Sequence, residues 1–136
     1  MTTRTPGLEK AHQALAAVSS RYVDVASLPW VPTRFKGVEM KMLMEDKETG
    51  LMTALVRFAP GAVLPDHEHV ELEQTWVIEG ALEDDEGVVT AGNYVWRPAG
   101  SRHDARAPQG CVTLSFFLKP NRFAYGEKFF TEAGER

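Results

Sequence analysis

Three of the four histidines in this 136-residue chain lie in two short stretches, together with a glutamate. His67 and His69 are separated by one residue, so in an extended strand their imidazoles point to the same face. Glu73 follows four residues later and shares that face if the strand continues. His103 begins a later strand-like segment. This combination of side chains indicates a site for one divalent metal ion.

The types of the four ligands indicate which metal ions such a site would bind. Three neutral imidazoles and one carboxylate suit Fe²⁺, Mn²⁺, Ni²⁺ or Zn²⁺. Four protein ligands leave positions open on an ion that accepts five or six, as in reactive sites. Against this, a lone histidine on a strand is usually packed or solvated, but the paired spacing favours a site. Glu71 has the same parity as Glu73 and is the alternative carboxylate, which we expect to be solvated at the rim.

The elements that position these residues are predicted to be mostly strands. Residues 6–19 are expected to form a short helix, with Thr5 as its cap and Pro6 in its first turn. From residue 22 onward the pattern alternates, and turn residues separate short segments. This pattern predicts an all-β sandwich or barrel. The predicted strands are 38–44, 51–58, 74–79, 81–86, 93–97, 103–107 and 111–119.

The spacing around the first histidine pair carries a family resemblance. Gly61 is followed after five residues by His67, then by His69, by Glu73 after three more, and by Gly80 after six more. This resembles the first motif of the cupin superfamily, G(X)5HXH(X)3–4E(X)6G, with every defined position filled. The motif favours Glu73 over the neighbouring glutamate as the fourth ligand.

The second stretch resembles the second cupin motif, G(X)5PXG(X)2H(X)3N. Gly92, Pro98, Gly100 and His103 occupy its positions, and Ala107 stands where the motif has asparagine. The resemblance implies a small single-domain cupin, a jelly-roll barrel with a short N-terminal helix. Residues 1–20 would be the helical extension, 21–120 the barrel, and 121–136 a tail packing on the barrel or on a partner subunit. The metal ligands it implies are His67, His69, Glu73 and His103.

Further phrases resemble the ChrR-type cupins. These sequence segments are residues 53–57, 59–61, 85–87, 91–92 and 110–111. That group includes the metal-binding half of a bacterial anti-sigma factor. It also includes enzymes similar to 2,4'-dihydroxyacetophenone dioxygenase and the β-diketone-cleaving dioxygenases. This chain departs from the group because residues 70–72 replace the usual Gly-Gly pair before the glutamate.

The resemblance implies a mononuclear non-haem Fe²⁺ dioxygenase that uses O₂ to cleave a C–C bond in a small β-diketone or hydroxyaryl ketone. Glu73 would either bind the metal or act as the catalytic base. Two alternatives stay open. One is a zinc-binding ChrR-like sensor, although only about thirty residues precede the first strand, too few for a separate sigma-binding domain. The other is a metal-dependent isomerase or lyase without O₂ chemistry.

A substrate pocket above the metal is expected to be apolar, with an arginine able to bind a substrate oxygen. The methionines have the simpler interpretation of core filling. Arg57 has the alternative role of pairing with a carboxylate at Asp84 or Asp85. The residues predicted for the pocket are Met40, Met42, Arg57, Trp96 and Phe117.

Composition limits the partners and the location. A net charge of −4 argues against nucleic-acid binding, and no apolar run approaches the ~20 residues of a membrane span. The N-terminus has no apolar stretch typical of a secretory signal, and the single cysteine, Cys111, fits a reducing cytoplasm. By resemblance we expect a homodimer, with the N-terminal segment, Phe123, Phe129 and Phe130 supplying an apolar interface.

Overall fold

The computed structural model describes residues 2–123, and most of its regular elements are antiparallel strands. The predicted all-β class is therefore confirmed. None of the described helices is long and apolar enough to cross a membrane. The elements in chain order are β1 (Thr3–Arg4), α1 (Glu9–Gln13), a 3-10 turn (Val25–Ser27), β2 (Val31–Pro32), β3 (Val38–Asp46), β4 (Leu51–Phe58), β5 (Ala62–Glu68), β6 (Glu73–Glu83), β7 (Val88–Thr90), β8 (Tyr94–Arg97), β9 (Arg102–Ala107), β10 (Cys111–Phe117) and β11 (Arg122–Phe123).

The strands form one curled sheet in the order β1-β3-β4-β10-β6-β9-β5-β11. β2 pairs with β3, while β7 and β8 pair with β6. The first part of β6 pairs with β10 and β8, and its last residues pair with β7 and β9. β6 therefore connects the two faces of the curled sheet around a common interior.

The interior is formed by the inward-facing residues of the alternating pattern. β4 shows this most clearly, because Met52, Ala54, Val56 and Phe58 are buried while the residues between them are partly exposed. A buried side chain at every second position is the packing that a half-buried strand requires. The core also includes Val38, Met40, Ala62, Leu64, Val77, Leu82, Val89, Ala105, Ala107, Cys111, Phe117 and Phe123.

Gly80 lies inside β6 and does not separate two strands, so the prediction of a break at this position is wrong. Its φ is +74°, and a Cβ built there would lie 2.1 Å from the carbonyl oxygen of Gly110. Glycine is therefore required for the close approach to residue 110, at the point where β6 changes its neighbours. The predicted strand 81–86 correspondingly ends at Glu83.

The N-terminal helix is shorter than predicted. α1 covers only Glu9–Gln13, and no side chain caps it. The Thr5 hydroxyl instead donates a hydrogen bond to the carbonyl of Leu43. None of the residues of α1 is buried, so the helix lacks the packed apolar face that stabilises short helices in proteins.

The predicted C-terminal tail is only partly described. Arg122 and Phe123 form β11 and pair with the end of β5, and the Phe123 side chain is buried. Phe129 and Phe130, predicted for an interface, lie outside the described residues.

Candidate metal centre

Three histidines meet inside the curled sheet and are positioned to bind a metal ion. His67 is in β5, His69 follows the end of that strand, and His103 is in β9. Their nitrogen atoms all lie within 4.8 Å of one another. The first two are almost fully buried, at 2% and 0% exposure. His67 is the residue opposite His103 in the β5–β9 pair.

A bulge in β5 turns the histidines inward. Leu64 pairs with Ala105 and His67 with His103, so β5 has one residue more than β9 between these pairs. Ala62 and Leu64 are buried, both residues 65 and 66 are exposed, and His67 is buried again. An extra residue in one strand switches the parity of the residues that follow it. The bulge at residues 65 and 66 is therefore the reason that His67 and His69 face the interior.

Hydrogen bonds orient two of the three imidazoles. The Nδ1 of His67 lies 2.8 Å from the carbonyl oxygen of Pro65, and the Nδ1 of His103 contacts the carbonyl oxygen of Asp104. With Nδ1–H donating to a carbonyl, Nε2 of each ring carries the free lone pair.

One distance between the rings matches a pair of ligands on a shared ion. The Nε2 atoms of His69 and His103 are 2.7 Å apart. Two adjacent ligands at a metal–nitrogen distance of about 2.0–2.1 Å have a similar separation. The donor set of this site therefore suits a divalent ion.

Burial also keeps these rings in the form that binds a metal. It lowers the pKa of His67 to about 4 and, with the charge of Arg97, lowers the pKa of His103. Burial likewise lowers the pKa of His69, as do the two neighbouring histidines. All three imidazoles are therefore neutral at pH 7, as metal binding requires.

Glu73 lies beside the histidines, but it is on a different strand from the one predicted. β5 ends at Glu68, so residues 67 to 73 are not one strand, and Glu73 is instead the first residue of β6. Its Oε1 lies 3.4 Å from the Nε2 of His69, although Glu73 is not part of the compact three-histidine cluster. Burial raises the pKa of Glu73 to about 7, and the opposing charge of Arg97 lowers it less. Glu71 is exposed.

Behind the histidines lies an ion pair that sequence reasoning missed. The Nη1 of Arg97 donates to the Oδ2 of Asp84 at 2.8 Å, and its Nε lies 3.8 Å from the Oε1 of Glu73. The same Asp84 oxygen is 3.3 Å from the Nδ1 of His103. Burial acts to raise the pKa of Asp84, but hydrogen bonds from the backbone N–H of Glu86 and from Arg97 lower it overall. One sequence signal was available: Arg97 directly precedes the proline of the second motif.

The structure does not bring the five predicted pocket residues into one cavity. Met40 and Met42 line a cavity of about 720 Å³, which also includes Met52, Val70 and Asn121. Trp96 lines a second cavity of about 470 Å³ beside His103.

The remaining two predicted residues lie elsewhere. Phe117 is buried in the core. Arg57 donates to Glu39 and stacks on Trp30, with its guanidinium carbon 4.2 Å from the ring centre. The carboxylate partner of Arg57 is therefore Glu39, because the pairing of β3 with β4 places residues 39 and 57 opposite each other. The predicted pairing of Arg57 with Asp84 or Asp85 is wrong.

Comparison with known proteins supports the same fold. The model of the ChrR cupin-like domain family matches residues 18–122. An acetylacetone dioxygenase from Acinetobacter johnsonii is similar in structure, at 21% identity over 89% of this chain and 93% of that one, with a TM-score of 0.74. A protein of unknown function with a cupin-like fold from Ralstonia eutropha JMP134 has 26% identity over 76% and 75% of the two chains, with a TM-score of 0.69.

The Rhodobacter sphaeroides complex of SigE with the anti-sigma ChrR is also similar. Its identity to this chain is 25%, over 68% of this chain and 50% of that one, with a TM-score of 0.59. No match was found among curated protein sequences.

Proposed function

The chain belongs to the family of ChrR cupin-like domains, and from this membership and its three-histidine centre we propose that it is a mononuclear non-haem Fe²⁺ dioxygenase. Its substrate would be a small β-diketone or hydroxyaryl ketone. Cleavage of one C–C bond would consume one O₂ and give a carboxylic acid and a dicarbonyl or second acid. Both oxygen atoms enter the products, so no external reductant is needed.

The observation that carries this proposal is that the compact donor set consists of three neutral imidazoles. When bound, Fe²⁺ would supply the one-electron chemistry that O₂ requires. Three protein ligands leave room on the ion for a substrate with two oxygen donors and for O₂. Because the imidazoles are neutral, they would not offset the positive charge of the bound ion. The site would therefore attract an anionic substrate.

Glu73 is the residue that we assign to proton transfer. Its carboxyl group is buried, and its Oε1 is 3.4 Å from the Nε2 of His69. A carboxyl whose pKa is about 7 can accept a proton near neutral pH. In this role Oε1 takes the acidic C–H proton of the diketone, and Arg97, 3.8 Å away, orients the carboxylate. Direct ligation of the metal by Glu73 is the competing role.

The methionine-lined cavity supports a small, mainly apolar substrate. Its volume is about 720 Å³, and it extends to Val70, the residue after His69. Methionine side chains adapt to ligands of different shape, and charged side chains such as Arg4 and Lys119 also line the cavity, so it suits a ketone with an apolar part and polar oxygens.

The proposal is tested by reconstituting the protein with Fe²⁺ under anaerobic conditions and then measuring O₂ uptake with acetylacetone and with hydroxyacetophenones. We expect one O₂ consumed per substrate cleaved, and no uptake by the Zn²⁺-loaded protein. His103→Ala is the inactive control. Absence of turnover with full iron loading overturns the proposal. One zinc per chain in the isolated protein, without O₂ chemistry, would instead favour the sensor function.

We further propose that two copies associate through the outer face of β6, β8 and β10. Trp76 on β6 lies between Tyr94 of β8 and Leu114 of β10. Five large side chains on this face are 41–56% exposed, which amounts to on the order of 450 Å² of apolar surface. That is about half of the roughly 800 Å² per partner in a standard interface. The five are Trp76, Ile78, Tyr94, Trp96 and Phe116.

A second copy is the occupant that fits this face, because the same apolar surface can pack against itself in a two-fold interface. Light scattering after gel filtration should give twice the mass of the chain, and Ile78→Lys should give the monomer. Val63→Lys is the matched control, because Val63 is equally exposed on another strand. A monomeric wild-type protein overturns this part of the proposal.

A further inference from the structure

Asn121 lies beside the metal centre and is almost completely buried, at 2% exposure. Its Oδ1 and the Nδ1 of His69 are both buried, and neither has an aligned hydrogen-bond partner among residues 2–123. The strand register places the two residues together: Arg122 lies opposite Glu68 and Phe123 opposite His67 in the antiparallel β11–β5 pair, so one step further along Asn121 lies opposite His69. Two unsatisfied buried polar atoms next to each other require an explanation.

We propose that the Oδ1 of Asn121 accepts the Nδ1 proton of His69 and so holds Nε2 of that ring as the metal-binding nitrogen. Asn121 is therefore a positioning residue for the metal site. The inference rests on the metal centre of the proposed function but not on its O₂ chemistry.

The other two histidines show why this contact is needed. Each donates its Nδ1–H to a backbone carbonyl, that of Pro65 or that of Asp104. His69 lies just beyond the end of β5, and its own backbone groups are bonded to Ser101 and Gly100. Its backbone is therefore anchored, but within residues 2–123 no backbone carbonyl accepts from its Nδ1. A side-chain oxygen completes the set of three acceptors, as is usual for metal-binding histidines.

The segment that carries Asn121 is held in place by its neighbours. Arg122 and Phe123 pair with Glu68 and His67 of β5, and the Phe123 ring is 5.1 Å from that of His67. Asn121 also lines the methionine-lined cavity. A ligand in this cavity would therefore lie next to the residue that orients His69.

The test compares Asn121→Ala and Asn121→Asp with Asn93→Ala as matched control, since Asn93 is an exposed asparagine whose side chain donates to Thr90. The ¹⁵N shifts of the His69 ring in the metal-free protein report which nitrogen carries the proton. Affinity for Zn²⁺ alone is measured by competition with a chelator. For Asn121→Ala we expect a loss of the Nδ1–H tautomer and about 10–100-fold weaker Zn²⁺ binding.

Asn121→Asp retains an oxygen acceptor and should restore both the tautomer and the affinity, whereas Asn93→Ala should change neither. Unchanged ring shifts and wild-type Zn²⁺ affinity in Asn121→Ala overturn the proposal. If Asn121→Ala does not fold, Asn121→Asp decides, and loss of the Nδ1–H tautomer in that variant also overturns it. Because Zn²⁺ is the probe, a failed O₂-uptake assay leaves this result unaffected.

Discussion

His67 and His103 face each other across β5 and β9, and this register exists because a bulge adds one residue to β5 just before His67. The bulge changes which side chains face inward at the site, and it brings rings from two strands within 4.6 Å of each other, measured between ring centres. The three-histidine cluster is thus a product of strand register as much as of residue type.

Alanine substitution of any one of the three histidines should remove most of the bound metal. Each ring supplies one of the few nitrogen donors in a buried site, so we expect affinity to fall by more than about 100-fold. Metal content after dialysis measures this directly. His12→Ala should retain full occupancy, because His12 is in α1, outside the cluster. Equal loss in that variant would mean that the site is elsewhere.

The metal-free protein should lose stability as the pH falls from about 6.5 towards 4. The pKa of His67 is lowered from 6.5 to about 4, so in this range the unfolded chain binds a proton that the folded protein does not. Each such group contributes a slope of at most about 1.4 kcal/mol per pH unit. Burial lowers the pKa of His69 and of His103 in the same direction. Urea unfolding at several pH values with a chelator present measures the slope.

Glu73 should oppose this pH dependence. Its pKa is raised from 4.5 to about 7, so between these values the folded protein holds a proton that the unfolded chain releases. This contribution is present below pH 4.5 and is lost as the pH rises through 7. Glu73→Gln should therefore make the loss of stability on acidification steeper. A shallower profile in that variant would contradict the assignment.

Arg97→Met should destabilise the protein by about 3–5 kcal/mol, because it leaves the buried carboxylate of Asp84 without its counter-charge. The free energy of unfolding from urea titration checks this. Arg102→Met is the matched control. Its partner Asp66 and Arg102 itself are more than half exposed, so solvent screens the pair and stability should barely change. Similar losses in the two variants would show that burial of the pair is unimportant.

Gly80→Ala should cost about 3 kcal/mol or prevent folding, because its φ is +74° and the new Cβ would collide with the Gly110 carbonyl at 2.1 Å. Gly87→Ala is the comparison, since its Cβ would meet no atom within 4 Å and its φ is not in the left-handed region. Thermal melts of both variants give the difference. A Gly80→Ala protein as stable as Gly87→Ala would contradict the close approach of the two segments.

Much of the fold could be predicted from local pattern. The alternation in residues 51–58 predicted β4 with its observed bounds, and turn residues marked most strand ends. The helix was predicted too long: Leu15 and Val18, which lie beyond the end of α1, are exposed, so no packing extends the helix over them. Glu73 was identified by its motif spacing, whereas the continuous strand that was to align it with the histidines does not exist.

The sequence by itself determined the residue types and spacings of His67, His69 and His103, and hence the family and a candidate metal site. Tertiary structure decided which atoms meet. The register of β5 against β9, the Arg97–Asp84 pair and the position of Asn121 opposite His69 all depend on contacts between separate strands. Such contacts depend on register and on burial, which are set by packing of the whole curled sheet and leave only weak local signals.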